Sequence, residues 1–214
     1  MSLHHHGRYL TSIQIHCKEV IRLGYITDGG WNVCHDKKYR PSYPCLVYSF
    51  GIYWDFSFDD AVAETYDCET HSFDPSMNTT DFKRGNFIWF HNLGLSDHSG
   101  IYEKNKWNIL TLKDILTELN HTSKTLDILK MDIESMEWQS LLNMIKTGTL
   151  RNIRQLYVEF HGSTASLQYL QTLRGIYNEG YRIYWYHRNP AKINIQKGKF
   201  VENSSCYEIY FLKI

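Results

Sequence analysis

From Cys45 onward the sequence alternates short apolar runs with segments of helical periodicity, and that rhythm restricts the fold more than any other feature. Runs at 45–50, 69–73, 86–93, 127–131 and 155–160 read as strands bounded by turn residues. Between them 58–66, 111–119, 137–146 and 165–178 read as helices; in 137–146 the residues Trp138, Leu141, Leu142 and Ile145 share one face. The last two strand signals, 182–187 and 207–212, have no helix between them and are expected to pair as an antiparallel hairpin at the sheet edge. Strand–helix alternation predicts an α/β domain built on a mostly parallel sheet with helices on both faces. A chain of 214 residues suits one such domain.

The segment before this rhythm is irregular. Residues 8–44 are expected to cap the main domain at 45–214, with a short helix at 13–23 and a tight turn at Asp28-Gly29-Gly30-Trp31. Residues 1–7, which include His4, His5 and His6, read as the remnant of an affinity tag. Lys+Arg and Asp+Glu both number 23, so the chain lacks the basic footprint of a nucleic-acid binder. No apolar run approaches the ~20 residues that span a bilayer.

Five cysteines, Cys17, Cys34, Cys45, Cys68 and Cys206, include no CxxC pair, which argues against a structural zinc site of that type. Cys45 precedes the first strand and Cys68 the second. Adjacent parallel strands begin on one edge, so these two are expected to form a disulfide. Cys17–Cys34 would then be the second bridge, with Cys206 outside both. Three N-x-S/T sequons, at Asn78, Asn120 and Asn203, add to a lean toward an oxidising compartment, with a cytoplasmic protein carrying buried thiols as the alternative.

In open α/β sheets ligands bind beyond the carboxyl ends of the strands. The first strand ends in Ser49-Phe50-Gly51, where one glycine lets backbone come close to a ligand. Asp74-Pro75 follows the second strand, 23 residues past Gly51. An acid there can accept both ribose hydroxyls of a nucleoside, or can simply start a turn. A lone glycine followed by bulky residues suits a nucleoside without a pyrophosphate. Leu95 and Ser96, after the third strand, could contact an adenine or form a plain loop. The fourth strand ends in Asp132-Ile133-Glu134 and the fifth in Glu159-Phe160-His161, so carboxylates and an imidazole converge on one rim. A solvated acidic edge is the bland alternative; position at strand ends favours a site. His91 and His187 read as core or surface histidines.

Leu129-Lys130-Met131-Asp132-Ile133-Glu134-Ser135-Met136-Glu137-Trp138 resembles a signature of FkbM-type methyltransferases, closest to their animal methyltransferase-like branch. Arg22-Leu23-Gly24 with Asp28 to Cys34, Val47 to Gly51, His71 to Ser76, Leu110 to Lys113, and Glu159-Phe160-His161 are similar to further motifs of that branch, in order, from about Cys17 to the end. The resemblance implies a class I methyltransferase Rossmann-like fold with a seven-stranded sheet. It also implies S-adenosylmethionine as cofactor, oxygen methylation, and the secretory pathway (Golgi lumen or secretion). Ile52-Tyr53-Trp54 departs from the pattern, since many methyltransferases carry a further glycine there.

Methyl transfer to a hydroxyl needs an aligned nucleophile and a proton acceptor. His161 or Asp132 is the expected base, with Glu134 and Glu159 orienting the acceptor or the histidine. Asp132 and Glu134 also offer oxygen ligands suited to Mg²⁺ or Mn²⁺. Asp28, Gly29 and Gly30 either fold over the methionine end of the cofactor or form a turn with Trp31 plugging the core. Aromatic density favours a carbohydrate acceptor. Two other readings compete: a catalytically silent module that binds a glycan or a partner, and an NAD-dependent oxidoreductase, which the missing glycines and the terminal hairpin disfavour.

Overall fold

The computed structural model describes residues 9–162, 166–188 and 206–214. Thirteen strands and four helices of seven or more residues occur among them. Val20–Leu23 (β1) and Trp31–Cys34 (β2) form an antiparallel hairpin, with Val20 opposite Cys34. Leu46–Phe50 (β3), Ser57–Tyr66 (α1) and Glu69–Phe73 (β4) open the main sheet. Phe82–Arg84 (β5) and Ile88–His91 (β6) follow. Gly94–Leu95 (β7), Gly100–Tyr102 (β8) and Trp107–Leu110 (β9) make a separate small sheet of order β7-β9-β8. Then come Leu112–Glu118 (α2), Leu126–Met131 (β10), Glu137–Thr147 (α3), Ile153–His161 (β11), Leu167–Asn178 (α4), Tyr181–Arg188 (β12) and Cys206–Lys213 (β13).

The main sheet runs β12-β13-β11-β10-β3-β4-β6-β5. Its centre is parallel, and β13 inserts antiparallel between β11 and β12. This is the strand order of a class I methyltransferase sheet. One correction concerns the count: β5, too short to carry a period, pairs antiparallel with β6 as an eighth strand. A second concerns 13–23, where a helix was expected. Its β-branched Val20 and Ile21 form β1 instead, held to β2 by backbone pairing and by the Cys17–Cys34 disulfide.

Helix starts follow local chemistry. Thr111 caps α2 through Oγ1 and the Asp114 N–H at 3.2 Å, and Ser166 caps α4 through the Tyr169 N–H at 3.2 Å. Gly148 closes α3 with φ 76°, a left-handed conformation that suits glycine. The sheet separates two cores. On one face α2, α3 and α4 press Leu116, Leu141, Met144 and Leu173 onto Leu129, Leu156 and Val158. On the other, α1 and the β1–β2 hairpin press Phe58, Val62, Trp31 and Val33 onto Val47, Ile128 and Tyr157. Each large apolar side chain so buried contributes about 1.5–3 kcal/mol. A second disulfide, Cys45–Cys68, joins the starts of β3 and β4, and Cys206 lies buried outside both bridges. No helix among the described residues is long and apolar enough to cross a membrane.

Candidate active site

Two cavities meet at the carboxyl ends of β3, β4, β10 and β11. The first, of about 200 Å³, has flat apolar walls from Phe50, Phe73, Leu95, Trp107, Ile109 and Met136. Phe50 and Phe73 stack there with centroids 4.4 Å apart. Asp74, Pro75 and Ser76 form its polar end. The Asp74 carboxylate, 5% exposed, accepts from the Tyr53 N–H at 2.8 Å on Oδ2, and from the Ser76 N–H at 2.8 Å and hydroxyl at 2.6 Å on Oδ1. A carboxylate offers about four acceptor sites. Asp74 therefore keeps one, on Oδ2, enough for one ligand hydroxyl where the sequence suggested two.

The second cavity, of about 170 Å³, is polar. Asp28, Gly29 and Gly30 border it together with Asp59, Lys130, Glu159 and Glu208. Asp132, Gly51 and Tyr53 line both cavities. Lys130 Nζ donates to the Phe50 and Gly51 carbonyls at 3.1 and 2.8 Å and lies 5.3 Å over the Trp31 ring. Trp31 is itself buried against Tyr157 and Tyr210, so the Asp28–Trp31 turn both rims the cavity and plugs the core. Asp59 is fully buried, and burial raises its pKa to about 6 against the pull of Lys130 and the Ser72 and Ser49 hydroxyls.

Gly51 is also demanded by the backbone. At φ 75° a Cβ there would fall 1.6 Å from the Asp132 carbonyl oxygen, so glycine is required where the chain leaving β3 passes the end of β10, on the wall of both cavities. The departure at Ile52-Tyr53-Trp54 is also resolved structurally. Tyr53 and Trp54 take φ of 38° and 66°, so two aromatic residues adopt left-handed conformations that glycine would adopt without strain. Their rings are 77% and 58% exposed at the rim. Ser49 and Ser96 line neither cavity. Ser49 is buried beneath the second, facing Asp59, and the Ser96 N–H is tied to the Leu110 carbonyl at 2.9 Å.

The rim is organised by a residue to which the sequence gave no role. Glu137, wholly buried at the start of α3, accepts on Oε1 from the Ile133 and Ser135 N–H groups and faces His161 Nδ1 at 2.9 Å. This holds the turn in which Glu134 and Ser135 have φ of 53° and 82°. His161 Nε2 lies 3.9 Å from Asp132 and 3.7 Å from Glu134. Burial works against charge on His161, but its hydrogen bonds to Cys206 and Glu137 and the Glu137 charge overcome it, so its pKa is pushed up. Cys206 Sγ donates to Glu159 Oε1 at 2.8 Å. Burial first, and the neighbouring Glu159 charge second, raise Asp132 to about 8 despite Lys130 and His161. Asp132, Glu134 and His161 also present ligand atoms within 4.8 Å of one another. His91 and His187 lie outside the site, paired with Asp81 and Glu208.

The strand order and the cavity pair at its switch point define an α/β domain of the class I methyltransferase type. A family model described as a methyltransferase domain matches residues 8–213, and the chain belongs to that family. Human methyltransferase-like protein 24 is 28% identical over 228 residues; the match covers 94% of this chain, which spans 62% of the human protein's length. Among solved structures, one described as a candidate SAM-dependent methyltransferase from Streptococcus mutans aligns with a TM-score of 0.51 at 11% identity. That alignment covers 96% of this chain and 59% of the other, and shows the fold. Methyltransferase FkbM from Methylobacillus flagellatus aligns with a TM-score of 0.49 at 13% identity, over 79% of this chain and 44% of that one.

Proposed function

We propose that this domain methylates a hydroxyl of a carbohydrate, using S-adenosylmethionine. The observation that carries the reading is Asp132, a half-buried carboxylate with a raised pKa that lines both the apolar and the polar cavity. The apolar walls and the one remaining acceptor site on Asp74 fit an adenosine. Asp28, Gly29, Gly30 and Lys130 border the cavity suited to its methionine end. S-adenosylmethionine, when bound, supplies a methyl group activated by a positive sulfur. Asp132 is then the proton acceptor for the attacking hydroxyl. At about 8, with the Lys130 and His161 charges already acting on it, its ionised form is a stronger base than an ordinary carboxylate, and the fraction in that form grows as pH rises toward 8. His161, held charged by Glu137, is a positioning residue for Asp132 and not the base.

Glu159 and Glu208 offer acceptors to the hydroxyls of a sugar, and the exposed faces of Tyr53 and Trp54 suit the apolar side of a pyranose. Two disulfides are compatible with a lumenal or secreted protein, as are exposed sequons at Asn78 and Asn120; Asn203 lies outside the described residues. Calorimetric titration with S-adenosylhomocysteine tests the reading. Expected is one saturable site that Asp74→Ala weakens at least tenfold, followed by methyl incorporation into a glycan acceptor. Absence of binding at millimolar ligand would sink it in favour of a silent glycan- or partner-binding module.

A further inference from the structure

A second polar system lies under the sheet face that carries α2. Asp81 Oδ2 faces His91 Nδ1 at 3.1 Å, His91 Nε2 faces His71 Nδ1 at 2.8 Å, and His71 Nε2 faces Glu69 Oε1 at 3.1 Å. From the other side His121 Nε2 reaches the same Glu69 oxygen at 3.0 Å, while its Nδ1 meets the Tyr48 hydroxyl at 2.7 Å. The file from Asp81 to Glu69 has three donor–acceptor gaps and ends in carboxylates, which only accept. Two neutral imidazoles bring one N–H each. One gap therefore has lone pairs on both sides unless an additional positive charge enters. His71 and His121 are 6% and 4% exposed, so holding that charge as a proton on a ring costs desolvation.

The geometry points to a divalent ion of the zinc class held by Glu69 Oε1 and the Nε2 atoms of His71 and His121. These three ligand atoms lie within 4.8 Å of one another. Tetrahedral zinc with bonds near 2.0–2.1 Å puts its ligands about 3.3 Å apart. The present contacts of 3.0 and 3.1 Å need only a small outward shift to admit it. Each ligating ring would donate its Nδ1–H to a fixed partner, His91 behind His71 and Tyr48 behind His121, as metal-bound histidines do. Lys124 occupies the other Glu69 oxygen at 3.0 Å, leaving Oε1 to the ion. Glu69 and Lys124 also border a surface cavity of about 450 Å³, which brings solvent to the Glu69 side of the cluster.

Cobalt titration followed by visible absorption tests this, with His4, His5 and His6 replaced by alanine so that they do not compete. Expected is one equivalent of four-coordinate Co²⁺, displaced by Zn²⁺. Its spectrum should be lost in His121→Gln and weakened at least tenfold in affinity by Glu69→Gln, yet unchanged in Glu134→Gln and Cys206→Ser. Circular dichroism of each variant guards against simple unfolding, and Glu69→Gln keeps the side-chain shape if His121→Gln fails to fold. A spectrum indifferent to Glu69 and His121, or a thiolate charge-transfer band locating the ion at Cys206, would overturn the assignment. So would no uptake at all, which would leave a proton as the missing charge.

Discussion

Two histidine centres in this protein are buried to a similar degree and held in opposite states of charge. At the rim, the one ring of His161 faces Glu137, Asp132 and Glu134, and its pKa is pushed up. Beneath the sheet, His71, His91 and His121 share Glu69 and Asp81. Burial dominates there, lowering all three and taking His71 to about 4. The ratio of carboxylates to rings decides the outcome, since desolvation acts on both centres in the same direction. The charged centre can fix a base beside a reacting hydroxyl. The neutral one keeps lone pairs available.

The comparison can be broken most decisively at Asp132. Asp132→Asn should lower methyl transfer by about 10²–10⁴-fold while S-adenosylhomocysteine still binds. Radiolabelled transfer measured beside calorimetry checks this, and intact turnover would remove Asp132 from the chemistry. Glu137→Ala should cost about 3–5 kcal/mol in urea unfolding, because His161 and two backbone N–H groups lose a buried acceptor. NMR titration of the same variant should show His161 returning toward an ordinary value. The neutral centre is stapled from below: Cys45–Cys68 ties together the strands that carry Tyr48 and His71. Replacing both cysteines by serine should lower stability by about 2–4 kcal/mol, read from the denaturation midpoint.

The smallest effect sharpens the contrast through a carboxylate that has no imidazole. Asp59 has a folded pKa of about 6, above its ordinary 3.8. Below about pH 4 it is protonated in both folded and unfolded chains and costs nothing. Between about pH 4 and 6 the unfolded chain ionises while the folded carboxyl keeps its proton, so stability falls across that window and levels off above 6. Asp59→Asn should therefore be the more stable protein at pH 7, by up to about 3 kcal/mol, with the advantage vanishing near pH 4 in thermal melts.

The parallel centre of the sheet was legible because β3 and β10 are largely apolar and buried on both faces, β11 carries an apolar Leu156–Val158 centre, and turn residues bound the polar β4. The small sheet was not, since β7 and β8 have two and three residues and carry no period. With it went Trp107 and Ile109, two walls of the first cavity. Asp132, Glu159 and His161 could be found because strand ends are where such folds place chemistry. Glu137 and Asp59 could not, because each starts a helix, where an acid ordinarily complements the helix dipole in solvent. Only the folded chain shows them turned inward. The glycine at 51 was visible, but its backbone reason lay at Asp132, just past the end of β10.

The position of β13 has a consequence for how the chain is made. The two disulfides close loops of 17 and 23 residues, so oxidation can fix the amino-terminal half as it emerges. Residues Cys206–Lys213, by contrast, pair with β11 on one side and β12 on the other. During synthesis β12 therefore waits without a neighbouring strand of the main sheet until β13 arrives and slots into the gap. Vectorial production leaves this half of the sheet open to chaperones, and to mispairing, for longer than any other part.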